Sequence, residues 1–129
     1  MCIRDSTHLV LWNNVKKEVV GAYRVARTDT VLRKFGKRGL YTYTLFRYKS
    51  SLFKKLGPSL ELGRSFLRKE YQKDYKALLR LWMAVGHYVA QKKKYRILFG
   101  PVSISNDYDS VSRQLIVAFL KTVSVLATR

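Results

Sequence analysis

The chain has 129 residues, a size that accommodates one domain and buries roughly two thirds of its unfolded surface, so a second full domain is excluded. Hydrophobic residues make up 47% and aromatics 13%, with only 2 Pro and 7 Gly, which excludes a disordered or fibrous chain. Lys and Arg number 26 against 8 Asp and Glu, and a formal charge of +18 calls for an anionic partner: nucleic acid, anionic lipid or an acidic protein. The single Cys2 cannot form an internal disulfide, and His8 and His87 are too far apart to suggest a ligand cluster. A reducing compartment and no structural metal are expected. The longest apolar runs, 97–102 and 115–120, fall far short of the roughly 20 residues of a membrane-spanning helix. Residues 1–6, with Arg4 and Asp5 and no apolar run behind them, do not read as a signal peptide, and none is expected.

In chain order, residues 8–12 and 19–25 are short β-type runs joined by a polar stretch, which predicts a hairpin. The middle third, 33–48, carries basic pairs, Gly36 and Gly39, and then Tyr41, Tyr43, Phe46 and Tyr48; no regular element is predicted there. Gly57-Pro58 introduces a strand at 60–67. Helical spacing over 74–91 places Leu78, Trp82, Val85 and Val89 on one face. Residues 95–102, YRILFGPV, read as a strand buried on both faces and ended by Pro101. A last helix, capped by Asp107 or Asp109, runs through Val111, Leu115, Ala118 and Phe119. This order predicts a mixed α/β sheet.

Three constellations carry polar chemistry. In the strand 60–67, Glu61 and Arg64 interrupt a core pattern where unpaired charge is costly, and Gly63 permits a bulge that brings them to one side. A structural ion pair and a catalytic carboxylate are both open. Ser103, Ser105, Asn106 and Asp107 follow the last strand, where α/β folds place ligands, although a helix cap accounts for one of them. Arg68, Lys69 and Lys73 precede the strongest helix, whose first N–H groups suit a phosphate; a solvated loop explains them too. HExxH, CxxC, GxSxG and Walker-type glycine motifs are absent from the sequence.

The segments VVGAYRV at 19–25, LELGRS at 60–65 and ILFGPVS at 97–103, in this order and spacing, resemble the GNAT-fold N-acyltransferases of the ornithine-lipid and glycine-lipid type. They are similar, more distantly, to acyl-homoserine-lactone synthases. The run 104–108, continued by Ser110, Ser112 and Arg113, resembles the hemolysin-like subgroup, often fused to a lysophospholipid acyltransferase domain.

The resemblance implies an α/β fold with a GNAT-like mixed central sheet flanked by helices, whose splayed central strands admit the phosphopantetheine arm of acyl carrier protein or coenzyme A. The fold's first strand and first helices are expected to be missing. Residues 1–6 are expected to be a non-native leader, and 7–129 one partial acyltransferase domain. Carried over by position, Glu61 would be the general base for the amine, Arg64 would orient it or touch the substrate, and Arg24 would line the site. Ser103, Ser105 and Asn106 would hold the amino-acid acceptor, and Arg68, Lys69 and Lys73 the donor's phosphate. The family's glycine-containing pyrophosphate turn is not matched at 71–78, which favours a carrier-protein donor over coenzyme A. No permanently bound cofactor is implied. The product would be a membrane-lipid precursor, made in the cytoplasm at the anionic inner-membrane face. Composition alone supports a rival, a non-catalytic basic nucleic-acid-binding module in which Tyr41, Tyr43 and Tyr48 stack on bases. Glu61 and the polar loop have no task in that reading, so no specific nucleic acid is expected.

Overall fold

The computed structural model describes residues 6–126. The expected leader therefore lies outside the described residues except for Ser6, which opens the first strand. Strand β1 (Ser6–Asn13) and strand β2 (Glu18–Arg27) form the predicted antiparallel hairpin. The Asn13 side chain closes its turn by accepting hydrogen bonds from the N–H groups of Val15 and Lys16, both at 3.0 Å. Strand β3 (Ser59–Leu67) pairs antiparallel with β2, and β4 (Ile97–Phe99) pairs parallel with β3, giving the order β1-β2-β3-β4.

The middle third is more ordered than its sequence suggests. It holds helix α1 (Thr28–Phe35), single 3₁₀ turns at Lys37–Gly39 and Thr42–Thr44, and helix α2 (Ser50–Leu56). Both helices end at a glycine with positive φ, Gly36 and Gly57, and both carry lysine or arginine in the last turn, where the negative helix end favours them. Their brevity hides them, because one or two turns give no visible 3.6-residue period.

Helix α3 (Tyr75–Gln91) starts where Asp74 accepts a hydrogen bond from the Lys76 N–H at 2.9 Å. Its buried stripe is Ala77, Leu81 and Val85, whereas Leu78 and Trp82, expected on the buried face, are half exposed. The helix is apolar on more than one side, so periodicity alone did not fix the inward face; contact with β1 and β2 does. On this side of the sheet Val25, Leu60 and Leu62 meet Val85 and Tyr95. On the opposite side Ala26 meets Val31 and Leu40, with Phe53 of α2 packed against them. Two covered faces explain why Arg24, Val25 and Ala26 are all buried in succession along β2.

The segment 95–102 departs from expectation. Only three residues form β4, and it is an edge strand among the described residues, with Leu98 38% exposed; the residue sealed in the core is Tyr95, before the strand. An unbroken apolar run signalled burial on both faces, but only one flank of β4 is paired. Helix α4 (Ser110–Leu126) begins at Asp109, which accepts hydrogen bonds from the Ser112 N–H and hydroxyl, both at 2.8 Å. Its Val111, Leu115 and Phe119 are exposed.

Candidate active site

The site grows out of the β2–β3 pair. Ala26 stands opposite Glu61, and Arg24 opposite Gly63, so Arg24 and Glu61 are diagonal neighbours on the face covered by α1 and α2. Both are buried, and the Arg24 Nη2 donates to Glu61 Oε2 at 3.3 Å. Three more donors converge on the same carboxylate from the turn between α1 and α2. The Tyr41 N–H reaches Oε2 at 3.2 Å; the Thr42 N–H and hydroxyl reach Oε1 at 2.7 and 2.6 Å. Four donors fill the acceptor capacity of a carboxylate. Burying this charge is therefore sustainable, because a guanidinium balances it and hydrogen bonds replace its water.

Past this rung the strand bends. Between the pairs Arg24–Gly63 and Ala22–Phe66, β2 contributes Tyr23 alone and β3 contributes Arg64 and Ser65, a β-bulge. Arg64 takes φ +52°, in the left-handed region that a non-glycine residue enters at a cost of about 1 kcal/mol or more. Its guanidinium lies 5.0 Å from the centre of the Tyr41 ring, and that of Arg24 lies 5.6 Å from the same ring. Glu61 and Arg64 are thus brought together at Tyr41, as the bulge reading required, but the buried ion pair is Glu61 with Arg24, and Arg64 faces solvent.

The strands β3 and β4 stay together for three rungs, ending at Glu61 opposite Phe99. Gly100 still lies tight against β3, since a Cβ there would fall 2.4 Å from the Leu62 carbonyl oxygen. The pairing ends at the Glu61 rung, so among the described residues no strand is paired along that edge of 63–67 in β3, a gap in the ladder that begins past the buried carboxylate.

Ser103, Ser105 and Asn106 lie on the exposed segment that follows β4. Their hydrogen bonds are local: Ser105 Oγ donates to Asp107 at 2.7 Å and accepts from its N–H, and Arg113 reaches Asn106 Oδ1 at 3.4 Å. Arg68 stands at the far end of β3 in ion pairs with Glu18 and with Glu70, the latter at 3.4 Å, while Tyr71 donates to Glu18 at 2.8 Å. The Tyr71 hydrogen bond, the largest influence, joins the Arg68 hydrogen bond and charge to outweigh desolvation and hold the Glu18 carboxyl below the usual carboxylate range. Lys69 and Lys73 are exposed in the turn before α3. The structure gathers Arg24, Glu61 and Arg64 and leaves these two other groups apart from them.

The sequence did not mark Thr42, and it marked Tyr41 only as a base-stacking ring in the nucleic-acid reading. Two successive backbone N–H groups do most of their work, and no side-chain pattern announces them. The available clue was indirect: a buried glutamate requires several donors, and the segment joining β2 to β3 was the nearest source.

A mixed four-stranded sheet flanked by helices is the arrangement of a GNAT-like fold. The chain belongs to the GNAT acetyltransferase domain family, whose model matches residues 4–83. Among curated proteins it is 33% identical over 120 residues to a glycine N(alpha)-acyltransferase of Phocaeicola vulgatus, covering 87% of this chain and 37% of that protein. It is 32% identical over 121 residues to a glycine N(alpha)-acyltransferase of Bacteroides thetaiotaomicron, covering 88% of this chain and 36% of the relative. The chain thus spans little more than a third of the length of these relatives. No solved structure matches it.

Proposed function

We propose that this domain serves an N-acyltransferase that moves a fatty, 3-hydroxyacyl chain from a phosphopantetheine thioester to the α-amine of an amino acid, with glycine the first acceptor to test. The observation that carries this reading is the buried Arg24–Glu61 pair one rung below the parting of β3 and β4. A thioester arm lying in that gap puts its carbonyl near Arg24, Arg64 and Tyr41. The amine nitrogen bonds to the carbonyl carbon, the C–S bond breaks, and the thiolate leaves to be protonated. The amine must first be neutral, since an ammonium has no lone pair. Glu61 is the candidate acceptor of that proton, and Thr42 sets the route. Two of the donors on Glu61 are backbone N–H groups that cannot turn away, whereas the Thr42 hydroxyl can rotate to accept from the amine while giving its own proton to Oε1.

Arg64 at the bulge, and the Ser103, Ser105 and Asn106 segment that follows β4, are the proposed contacts of the acceptor. Lys69 and Lys73, with Arg68 behind them, are proposed for the donor's phosphate. Members of the GNAT family use acyl-coenzyme A, but here the Asp74 carboxylate already occupies an N–H group of the α3 start and brings negative charge there. That arrangement disfavours a pyrophosphate and supports an acidic acyl carrier protein as donor. The product would enter membrane-lipid synthesis of the ornithine-lipid or glycine-lipid kind, and the hemolysin-like subgroup is the proposed type. The basic balance supports action in the cytoplasm at an anionic membrane face, alongside a fused or separate lysophospholipid acyltransferase. Among the described residues no helix is long and apolar enough to cross a membrane.

The test is mass spectrometry of lipids from a host expressing the parent-length gene beside the same gene carrying Glu61→Gln. A new N-acyl amino acid that disappears in the variant supports the reading, and its mass names the acceptor. An unchanged yield from the variant rejects Glu61 as the base.

A further inference from the structure

The most basic stretch free of acidic residues lies in the connection that also carries Tyr41 and Thr42. Residues 31–58, the connection from β2 to β3 past Asp29, contain eight Lys or Arg and no Asp or Glu. Large apolar side chains stand exposed among these cations: Phe35 at 42%, Leu45 at 53% and Phe46 at 54%. Arg38 and Arg47 flank a cleft of about 390 Å³ lined also by Tyr43, Thr44, Leu45 and Phe46. The other basic run, 92–96, differs in kind. Its one large apolar residue, Tyr95, is buried, and Lys94 is held by Asp29 at 2.7 Å.

We propose that the α1–α2 connection is a docking surface for an anionic phospholipid bilayer, with Phe35, Leu45 and Phe46 entering the headgroup boundary and Arg38 and Arg47 binding lipid phosphate at the cleft. Charge complementarity points to an anionic surface, and the exposed apolar residues select a bilayer from among such surfaces. An aliphatic Leu45 offers no ring for a base to stack on, whereas arginine, tyrosine and phenylalanine side by side are the composition of a membrane–water interface. Cations near an anionic leaflet attract it within a Debye length of about 8 Å at physiological salt, while apolar insertion survives screening. The consequence for the site is geometric. Tyr41 and Thr42, which hold Glu61, belong to this same connection, so docking sets the Arg24–Glu61 cluster directly behind the membrane face. This rests on the membrane-face reading above, but it requires no turnover and stands or falls separately from acyl transfer.

The test is cosedimentation of the 129-residue chain with vesicles of phosphatidylcholine, alone or with one third phosphatidylglycerol. Because any strongly basic chain adheres to anionic lipid, the variants decide. Arg38→Glu with Arg47→Glu is compared with the equal charge change Lys92→Glu with Lys93→Glu, and Leu45→Ser with Phe46→Ser removes apolar contact at constant charge. All six positions are exposed, and an unchanged thermal transition verifies the fold. The expected result is a tenfold or greater loss for the arginine pair, a loss of at most threefold for the lysine pair, and a severalfold loss at high salt for the Leu45 and Phe46 variant. Equal losses at the two basic sites, or no loss without Leu45 and Phe46, overturn the proposal. So does protection of Arg38 and Arg47 from chemical modification by an acyl carrier protein or single-stranded nucleic acid but not by vesicles.

Discussion

The β2–β3 half of the molecule and its β4–α4 half are built to different standards. In the first, both sheet faces are covered, the buried charges are matched, and every strand has neighbours that fix it. In the second, a three-residue strand sits at the sheet edge and the helix behind it exposes Val111, Leu115 and Phe119. A single rung displays the contrast, since Leu60 of β3 is fully buried and its direct partner Leu98 of β4 is not. Hydrophobicity in a sequence reports what a residue is able to bury, and only the neighbouring elements decide whether it does.

The most severe way to break the first half is to remove the carboxylate. Glu61→Ala leaves the Arg24 charge and the Tyr41 and Thr42 donors buried without their acceptor, and losing one partner of a buried pair costs about 3–5 kcal/mol. Domains of this kind have about 5–15 kcal/mol of stability in all. A urea titration of the chain should therefore show a large fall in midpoint, while Glu61→Gln, which keeps the shape, should fall less. Equal stability of Glu61→Ala and the native chain would mean that the four contacts contribute nothing net.

The rung of leucines sharpens the comparison directly. Leu60→Ala should cost about 2–5 kcal/mol, the range for a packed core leucine, whereas Leu98→Ala should cost no more than about 1 kcal/mol because much of its side chain already meets water. The same titration measures both. Comparable losses would show that β4 is as tightly held as β3.

These two variants also mark how far the sequence could be read. The hairpin, β3 and α3 were legible because their patterns persist over eight or more residues, and Glu61 stood out as a charge inside an apolar strand. Its partner was placed at the site only by the family resemblance, and the ion pair itself was not legible. Arg24 is near neither Glu61 nor Arg64 in sequence, and only the β2–β3 register makes it a diagonal neighbour. The α1 and α2 helices were too short to show a period, and they carry the turn that holds Glu61. The segment 95–102 misled for the opposite reason: its apolar run was clear, and the covering that such a run implies is absent from one flank of β4 among the described residues.

A smaller effect isolates one hydrogen bond in the cluster. Thr42→Val keeps the volume and the backbone N–H but loses the hydroxyl that donates to Glu61 at 2.6 Å. Hydrogen bonds to charged groups are worth about 1.5–3 kcal/mol, so stability should fall by that amount. If the hydroxyl also relays the amine proton, the acylation rate of the parent-length enzyme should fall by more than the lost stability explains, and its pH profile should shift. Thr42→Ser should restore both. A Thr42→Val enzyme with an unmoved pH profile would confine Thr42 to holding the carboxylate.

The smallest effect lies where the two halves meet, at Asp29 on α1. Desolvation, the largest single influence, raises the pKa of its carboxyl, but hydrogen bonds from Lys94 and Tyr95, the Thr30 N–H and the Lys94 charge together outweigh it and leave the pKa lowered. A carboxyl with a depressed folded pKa adds stability above its unfolded pKa, near 4, and loses it as the pH falls through the folded value. Tyr95 runs the other way. Burial first, and then the Asp29 hydrogen bond, raise its pKa, so the native state resists its ionisation and stability falls above about pH 10. Asp29→Asn should flatten the acid limb of a stability–pH profile below about pH 4 and reduce the alkaline limb, because the same carboxylate opposes the Tyr95 phenolate. An unchanged acid limb would show that the joint between α1 and the segment leading into β4 is held by the Tyr95 ring in the core, with the ion pair a bystander.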